Sequence, residues 1–95
     1  MCGIAGQISA DPNKIAANYP AYCRMQKSLA RRGPDQRGIY LHGHAALIHA
    51  RLAVVDLENG CQPMVLEQGG EKYILVYNGE LYNTPELHAQ LAALG

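Results

Sequence analysis

The chain has 95 residues, of which 48% are hydrophobic and 17% are charged. This length and composition exclude a second independent domain and a disordered chain, and they predict a single packed core. Eight basic residues balance eight acidic residues, so net charge gives no reason to expect nucleic acid or an anionic membrane as a partner.

Hydropathy and cysteine content predict a reduced, cytoplasmic protein. No apolar run approaches the roughly 18 residues of a membrane span, and the N-terminus lacks the pattern of a secretory signal. The three cysteines are an odd number without C-x-x-C spacing, which favours free thiols over a disulfide framework or a zinc knuckle. They are Cys2, Cys23 and Cys61.

The first predicted elements are a strand and a helix. Residues 2–9 (CGIAGQIS) are mostly small or apolar and lack a helix cap, which predicts a strand ending in a turn at residues 9–12. Apolar residues recur at helical spacing between residues 20 and 31, with Pro20 in the first turn and Gly33 past the end. The basic residues of this helix favour a solvated face over an anion-binding patch, because positive charge stabilises a helix C-terminus. These basic residues are Arg24, Lys27, Arg31 and Arg32.

Several β-prone runs in the second half predict consecutive strands of a sheet. The runs are GIYLHG, HAALIHARLAVVD, MVLEQ and EKYILVYN, and glycines or a short loop separate them. Thr84 is the predicted N-cap and Pro85 the first-turn residue of a final helix through ELHAQLAAL. The order of strand, helix, strands and helix predicts an α+β layer structure.

Arg51 stands in a strand so apolar that we expect both of its faces to be covered. A buried guanidinium needs a partner, because an unpaired charge away from water costs several kcal/mol. One interpretation is an internal salt bridge to Asp35 or Asp56, and the other is a bidentate site for the carboxylate of a ligand. The residues alone leave both interpretations open.

Asn78 and Gly79 lie between β-prone runs and are typical of a two-residue hairpin turn of the primed type. The same residues could present the Asn78 amide and the Gly79 N–H as a pair of donors for an oxyanion. The two interpretations are compatible.

Three histidines follow one another in the predicted sheet. His42 and His44 are expected to share one face of a strand, and His49 comes later. No cysteine or carboxylate stands beside them at ligand spacing, so we expect histidines satisfied by their neighbours and no bound metal. Cys23 is interpreted as a packing residue and Cys61 as an incidental loop residue.

Cys2 directly follows the initiator methionine, where chain ends are usually frayed and packing is unreliable. Removal of Met1 would leave a thiol and a free α-amino group on the same residue. A nucleophile and a base would then share Cys2.

Five segments follow one another along the chain: MCGIAG, RRGPDQRG, HARLAVVDL, NGCQPM and VYNGELYN. In this order they resemble the motifs of the class II glutamine amidotransferase domain, in the version found in glutamine-hydrolysing asparagine synthetases. MCGI is shared by all class II amidotransferases. RGPD followed by HARLAVVDL and NGELYN is specific to a much narrower group and resembles the glutamine-hydrolysing asparagine synthetases and their close relatives. The resemblance implies a fold similar to the N-terminal-nucleophile hydrolase sandwich of α, β, β and α layers, incomplete in this chain.

The resemblance also implies catalytic roles. Cys2 would attack the side-chain amide of L-glutamine once Met1 is removed, and hydrolysis of a γ-glutamyl thioester would follow. The Asn78 amide and the Gly79 N–H would stabilise the oxyanion. The loop RGPDQRG and the segment NGCQPM are expected to be architectural, with Asp35 available to pin the loop.

Further residues are implied to bind the substrate. Arg51 would hold the α-carboxylate of glutamine, and its α-amino end would meet Glu80 and the backbone around Val54 and Val55. The family completes this pocket with an aspartate from a later S-D-x-E-like motif.

Residues 1–95 are accordingly expected to form the N-terminal part of the glutaminase domain, with the synthetase domain absent. This segment would need no cofactor, whereas the synthetase domain would bind ATP, Mg²⁺ and aspartate and would receive the ammonia. A homodimer is the assembly implied for the full-length family. Two alternatives stay open: the glutaminase part of a related amidotransferase with another acceptor, and a non-catalytic truncated fragment.

Overall fold

The computed structural model describes residues 2–53, 58 and 60–95. Its elements are β1 (Gly3–Ile8), α1 (Pro12–Ala17), α2 (Tyr19–Leu29), β2 (Gln36–His42), β3 (Ala45–Arg51), β4 (Met64–Gln68), β5 (Glu71–Leu75) and α3 (Thr84–Leu94). None of the helices in the described part combines the length and the apolarity that a bilayer crossing needs.

The main sheet has three antiparallel strands in the order β1-β3-β2. Side chains alternate across a strand, so Ile48 and Ala50 of β3 face one side of the sheet, while His49 and Arg51 face the other. Ile48 packs with Ile15 of α1 and Tyr22 of α2 in the buried core. The helices α1 and α2 therefore cover one face of the sheet, and the opposite face of β3 carries the polar side chains His49 and Arg51.

A separate two-stranded sheet pairs β4 with β5. Its turn contains Gly69 and Gly70, whose φ angles of 62° and 80° lie in the region that glycine tolerates best. This hairpin confirms two strands around the glycine pair, but the second, predicted over EKYILVYN, ends at Leu75.

Helices and small antiparallel sheets in one chain agree with the predicted mixed class, and they are compatible with an incomplete N-terminal-nucleophile hydrolase fold. The strand from residue 3 and the helix from residue 19 match the predicted elements closely. The prediction of a turn at residues 9–12 was incomplete, because a short helix, α1, begins at Pro12. The Asp11 side chain caps this helix by accepting a hydrogen bond from the Asn13 N–H at 2.9 Å. The last helix begins one residue earlier than predicted, with Asn83 rather than Thr84 at the N-cap.

Candidate functional site

One cavity of about 510 Å³ lies at the ends of β1 and β3. Its lining includes all the predicted catalytic and substrate-binding residues that the structure describes: Cys2, Arg51, Asn78, Gly79 and Glu80. Among the described residues, the lining also includes Leu52, Gly60, Gln62, Met64, Tyr77 and Tyr82. Val54 and Val55, also predicted to contact the substrate, lie outside the described residues.

Cys2 reaches this cavity because β1 pairs with β3, with Gly3 opposite Ala50. The sulfur lies against the residue that follows β3. The Leu52 N–H donates to Cys2 Sγ at 3.3 Å, and the Cys2 thiol lies 3.7 Å from the Leu52 carbonyl oxygen. These contacts hold the thiol at the cavity wall. Met1 lies outside the described residues, so its removal stays a prediction.

Arg51 is 4% exposed at the end of β3. Its guanidinium donates from Nη1 to the side-chain oxygen of Gln36, its cross-strand neighbour, at 2.7 Å. This bond fixes the position of the guanidinium, whose planar fork suits a carboxylate. Arg51 belongs to the lining of the cavity.

The loop that contains Asp35 is tied to the end of β3. The Asp35 N–H donates to the Arg51 carbonyl at 2.9 Å, and its carboxylate accepts from the Ala53 N–H at 2.8 Å. The prediction that Asp35 pins the loop is confirmed. The salt-bridge interpretation named Asp35 and Asp56; Asp35 engages backbone groups, and Asp56 lies outside the described residues.

Asn78 and Gly79 do not form the predicted hairpin turn. The strand β5 ends at Leu75, and residues 76–81 include no strand. A type I′ turn, which Asn-Gly favours, needs positive φ angles at both central residues, and Gly79 does not have one. The backbone of Tyr77 instead bonds to the side chains of Gln62 and His49. The hairpin interpretation is therefore wrong, whereas the oxyanion interpretation stays a prediction.

The sequence comparisons identify the family of the chain. The whole chain, residues 1–95, matches the family described as the glutamine amidotransferase domain. The chain belongs to the glutamine amidotransferase family. It is 41% identical over 95 residues to asparagine synthetase (glutamine-hydrolysing) 3 of Bacillus subtilis, an alignment that covers 100% of this chain and 15% of that relative. It is 34% identical over 90 residues to asparagine synthetase B (glutamine-hydrolysing) of Escherichia coli, covering 95% of this chain and 16% of that relative.

These relatives are much longer than the amidotransferase chain described here. The chain spans about 15% of the length of the relatives that it matches. A second Bacillus subtilis protein, asparagine synthetase (glutamine-hydrolysing) 1, is 35% identical over 96 residues. That alignment covers 100% of this chain and 15% of the relative. The names of these relatives describe glutamine hydrolysis and asparagine synthesis by those whole proteins.

The histidines of this amidotransferase chain occupy different positions from those predicted. His42 ends β2 and His44 lies in the following turn, where its Nδ1 bonds to the Ser9 carbonyl at 2.9 Å, so the two do not share a strand face. His49 is fully buried in β3, and its Nε2 bonds to the Tyr77 carbonyl at 3.2 Å. Within the described residues, no group of three or more His, Cys, Asp and Glu side chains could hold a metal ion.

Two residues beside the site were missed as functional candidates. The alternation of β3 could have indicated His49, because it lies two residues before Arg51 and therefore on the same face. Gln62 offered no such signal, since its contact with Tyr77 spans 15 positions, with the whole β4–β5 hairpin between them.

Burial lowers the pKa of His49 from its ordinary value of 6.5. The hydrogen bond to the Tyr77 carbonyl opposes this shift, whereas the charge of Arg51 adds to it. The His49 ring is therefore protonated at lower pH in the folded protein than in the unfolded chain. The stability linked to neutral His49 is fully present above pH 6.5 and is lost as the pH falls through the unfolded value toward the lower folded value.

We expect His49→Gln to reduce the acid sensitivity of folding. The free energy of unfolding should fall less between about pH 7.5 and about pH 5.5 in this variant than in the wild type, as measured by urea titration. His88→Gln is the matched control, because His88 is exposed on α3 and should keep the wild-type pH dependence. An unchanged pH dependence in His49→Gln would contradict this assignment.

Proposed function

We propose that the chain is the glutaminase part of a glutamine-hydrolysing asparagine synthetase, with Cys2 as its nucleophile. The observation that carries the proposal is the shared cavity, whose lining includes Cys2, Arg51 and Asn78 although they are distant in sequence. The names of the relatives support glutamine as the substrate. The cavity volume of about 510 Å³ falls within the range of about 300–1,000 Å³ of small-molecule sites.

The proposed reaction begins after Met1 has been removed. The α-amino group of Cys2, whose ordinary pKa is about 7.7–8.0, takes the thiol proton. The sulfur then attacks the side-chain carbonyl carbon of glutamine and forms a carbon–sulfur bond, which moves an electron pair onto the oxygen. The Asn78 amide and the Gly79 N–H donate to this oxyanion.

The tetrahedral intermediate collapses when its carbon–nitrogen bond breaks. The α-ammonium group of Cys2 gives its proton to the departing nitrogen, so ammonia leaves and a γ-glutamyl thioester remains. Water then adds to the thioester carbon, and a second tetrahedral intermediate expels the sulfur of Cys2. Glutamate is released, and the thiol and the amine are regenerated.

Substrate recognition in this proposal uses the opposite charges at the two ends of the glutamine backbone. Arg51 binds the α-carboxylate, for which its planar fork is well suited. Glu80, together with the backbone around Val54 and Val55, binds the α-ammonium group. The neutral side-chain amide of the bound glutamine then points toward Cys2.

The proposed place of this chain is the N-terminal part of a glutaminase domain of the N-terminal-nucleophile type. In the whole enzyme, ammonia would pass to a synthetase domain that binds ATP, Mg²⁺ and aspartate. A cytoplasmic homodimer is the proposed setting. The large difference in length between this chain and its relatives supports a further domain in those proteins.

The test follows the amide nitrogen of glutamine labelled with ¹⁵N, using the purified natural protein that contains this chain. We expect labelled ammonia and glutamate in equal amounts, and labelled asparagine when aspartate, ATP and Mg²⁺ are added. L-Asparagine, which is shorter by one methylene, is the control substrate and should release much less ammonia. Absence of labelled ammonia would contradict the proposed function. If the label appeared in an amide other than asparagine, the acceptor of the ammonia would be a compound other than aspartate.

A further inference from the structure

The residue before Asn78 is held by side chains rather than by secondary structure. Tyr77 lies beyond the end of β5. In the described part of the chain, no backbone-to-backbone hydrogen bond outside helices and strands involves residues 76–80. The Tyr77 N–H instead donates to Gln62 Oε1 at 2.6 Å, and the Tyr77 carbonyl lies 3.2 Å from His49 Nε2.

The geometry defines the protonation of His49. A carbonyl can only accept, so Nε2 carries the proton and donates to Tyr77. The other ring nitrogen, Nδ1, is buried without a hydrogen-bond partner among the described residues. A neutral ring with its proton on Nε2 satisfies the Tyr77 carbonyl and leaves only a lone pair unmatched.

Both partners of Tyr77 are anchored to the same place in the main sheet. His49 lies in the central strand β3, directly opposite Gly38 of β2. Gly38 in turn lies against the Gln62 backbone, and a side chain at Gly38 would collide with the Gln62 carbonyl oxygen. The absence of a side chain at Gly38 therefore lets the Gln62 loop approach the strand beside His49.

These two bonds restrict the segment that contains Asn78. The Tyr77 carbonyl and the Asn78 N–H belong to one planar peptide group, so holding the carbonyl fixes the direction of the Asn78 N–H. Holding the Tyr77 N–H fixes the preceding peptide group in the same way. The two peptide planes next to Tyr77 are thus fixed, and with them the position at which Asn78 and Gly79 enter the cavity.

Resting on the proposed function, we propose that Gln62 and His49 clamp the backbone of Tyr77 so that Asn78 and Gly79 are preorganised to stabilise the oxyanion. Both are positioning residues, because they act through Tyr77. Preorganised donors need no rearrangement when charge develops, and misplacement of a reacting group by about 1 Å can lower a rate about 100-fold. The strand β3 would then supply both a substrate ligand, Arg51, and a support for the oxyanion donors, His49.

The test compares variants that remove each hydrogen bond with variants that keep it. Gln62→Leu removes the acceptor, whereas Gln62→Glu keeps an oxygen there. His49→Leu removes the donor, whereas His49→Gln places an amide N–H near the position of Nε2. Gln68→Leu on β4 and His88→Leu on α3 make the same chemical changes at exposed positions.

We expect both leucine variants at the clamp to lower kcat for glutamine hydrolysis by about 10- to 100-fold, with KM within about threefold of the wild type. Gln62→Glu and His49→Gln should recover most of the loss, and the two exposed controls should match the wild type. Alkylation of Cys2 by iodoacetamide should proceed at the wild-type rate in all variants, because displacement at a saturated carbon develops no oxyanion.

Unchanged kcat in the leucine variants would overturn the clamp. Equal losses in the leucine and the conservative variants would also overturn it, as would a parallel loss of iodoacetamide alkylation, which would show that Cys2 itself is disturbed. These outcomes leave wild-type glutamine hydrolysis intact and so concern the clamp alone. A wild-type protein that does not hydrolyse glutamine would instead overturn the proposed function, and the clamp with it.

Discussion

Cys2→Ala is expected to abolish glutamine hydrolysis, with a fall in kcat of about 10⁴-fold or more. Alanine keeps the small size of the residue but has no sulfur to form the thioester, and neither Asn78 nor Gly79 can supply a nucleophile. The measurement is the release of glutamate from L-glutamine by the purified natural protein. Binding of glutamine should persist, because Arg51 and Glu80 are unchanged.

Cys61→Ala provides the matched control. Cys61 is an exposed thiol, and its sulfur lies 3.7 Å from the Glu58 carbonyl oxygen outside the cavity lining. This variant should hydrolyse glutamine at the wild-type rate. Activity retained by Cys2→Ala, or an equal loss in Cys61→Ala, would refute Cys2 as the nucleophile.

Asn78→Asp is expected to lower kcat for glutamine hydrolysis by about 10²- to 10³-fold, with a much smaller change in KM. Aspartate has nearly the shape of asparagine, but it replaces the amide donor with a negatively charged acceptor that repels the oxyanion. Asn78→Ala removes the donor without adding charge and should therefore lose less than Asn78→Asp. Steady-state kinetics with L-glutamine would measure both variants.

Asn13→Ala, at an exposed position of α1, is the control for Asn78→Ala. It should leave kcat and KM unchanged. A rise in KM with unchanged kcat in Asn78→Ala would assign Asn78 to ground-state binding of glutamine, and it would contradict its role at the oxyanion.

Local sequence patterns predicted most of the secondary structure. The helical spacing of Tyr22, Met25 and Leu29 predicted α2, and the glycine pair predicted the hairpin of β4 and β5. These elements depend on residues close together in sequence, where periodicity and turn chemistry decide the outcome. The short helix α1 was missed because Asp11 and Pro12 suit a turn and a helix start equally well.

The segment around Asn78 shows where local chemistry fails. Asn-Gly favours a hairpin, yet the Tyr77 backbone is bonded to His49, which lies 28 positions earlier, and to Gln62, which lies 15 positions earlier. Contacts between distant residues override the turn preference, and no short sequence window contains them. The contacts between Cys2 and Leu52 span 50 positions and were equally inaccessible.

The candidate site was predicted mainly through the family resemblance. Physical reasoning from the residues left Arg51 with two interpretations, and it gave Cys2 a chemistry but no substrate. The order of motifs assigned these residues and Asn78 to one site. All three line the same cavity in the structure.

The most direct test of Cys2 as the nucleophile is the mass of the N-terminal peptide after the natural protein has reacted with an electrophilic glutamine analogue. The analogue carries a diazoketone in place of the side-chain amide. We predict a peptide that begins at Cys2, without Met1, and that carries one adduct on its sulfur. Excess L-glutamine should prevent the adduct, and Cys2→Ala should lack it. An N-terminal peptide that retains Met1, or labelling of Cys61 in place of Cys2, would contradict glutamine hydrolysis by an N-terminal cysteine.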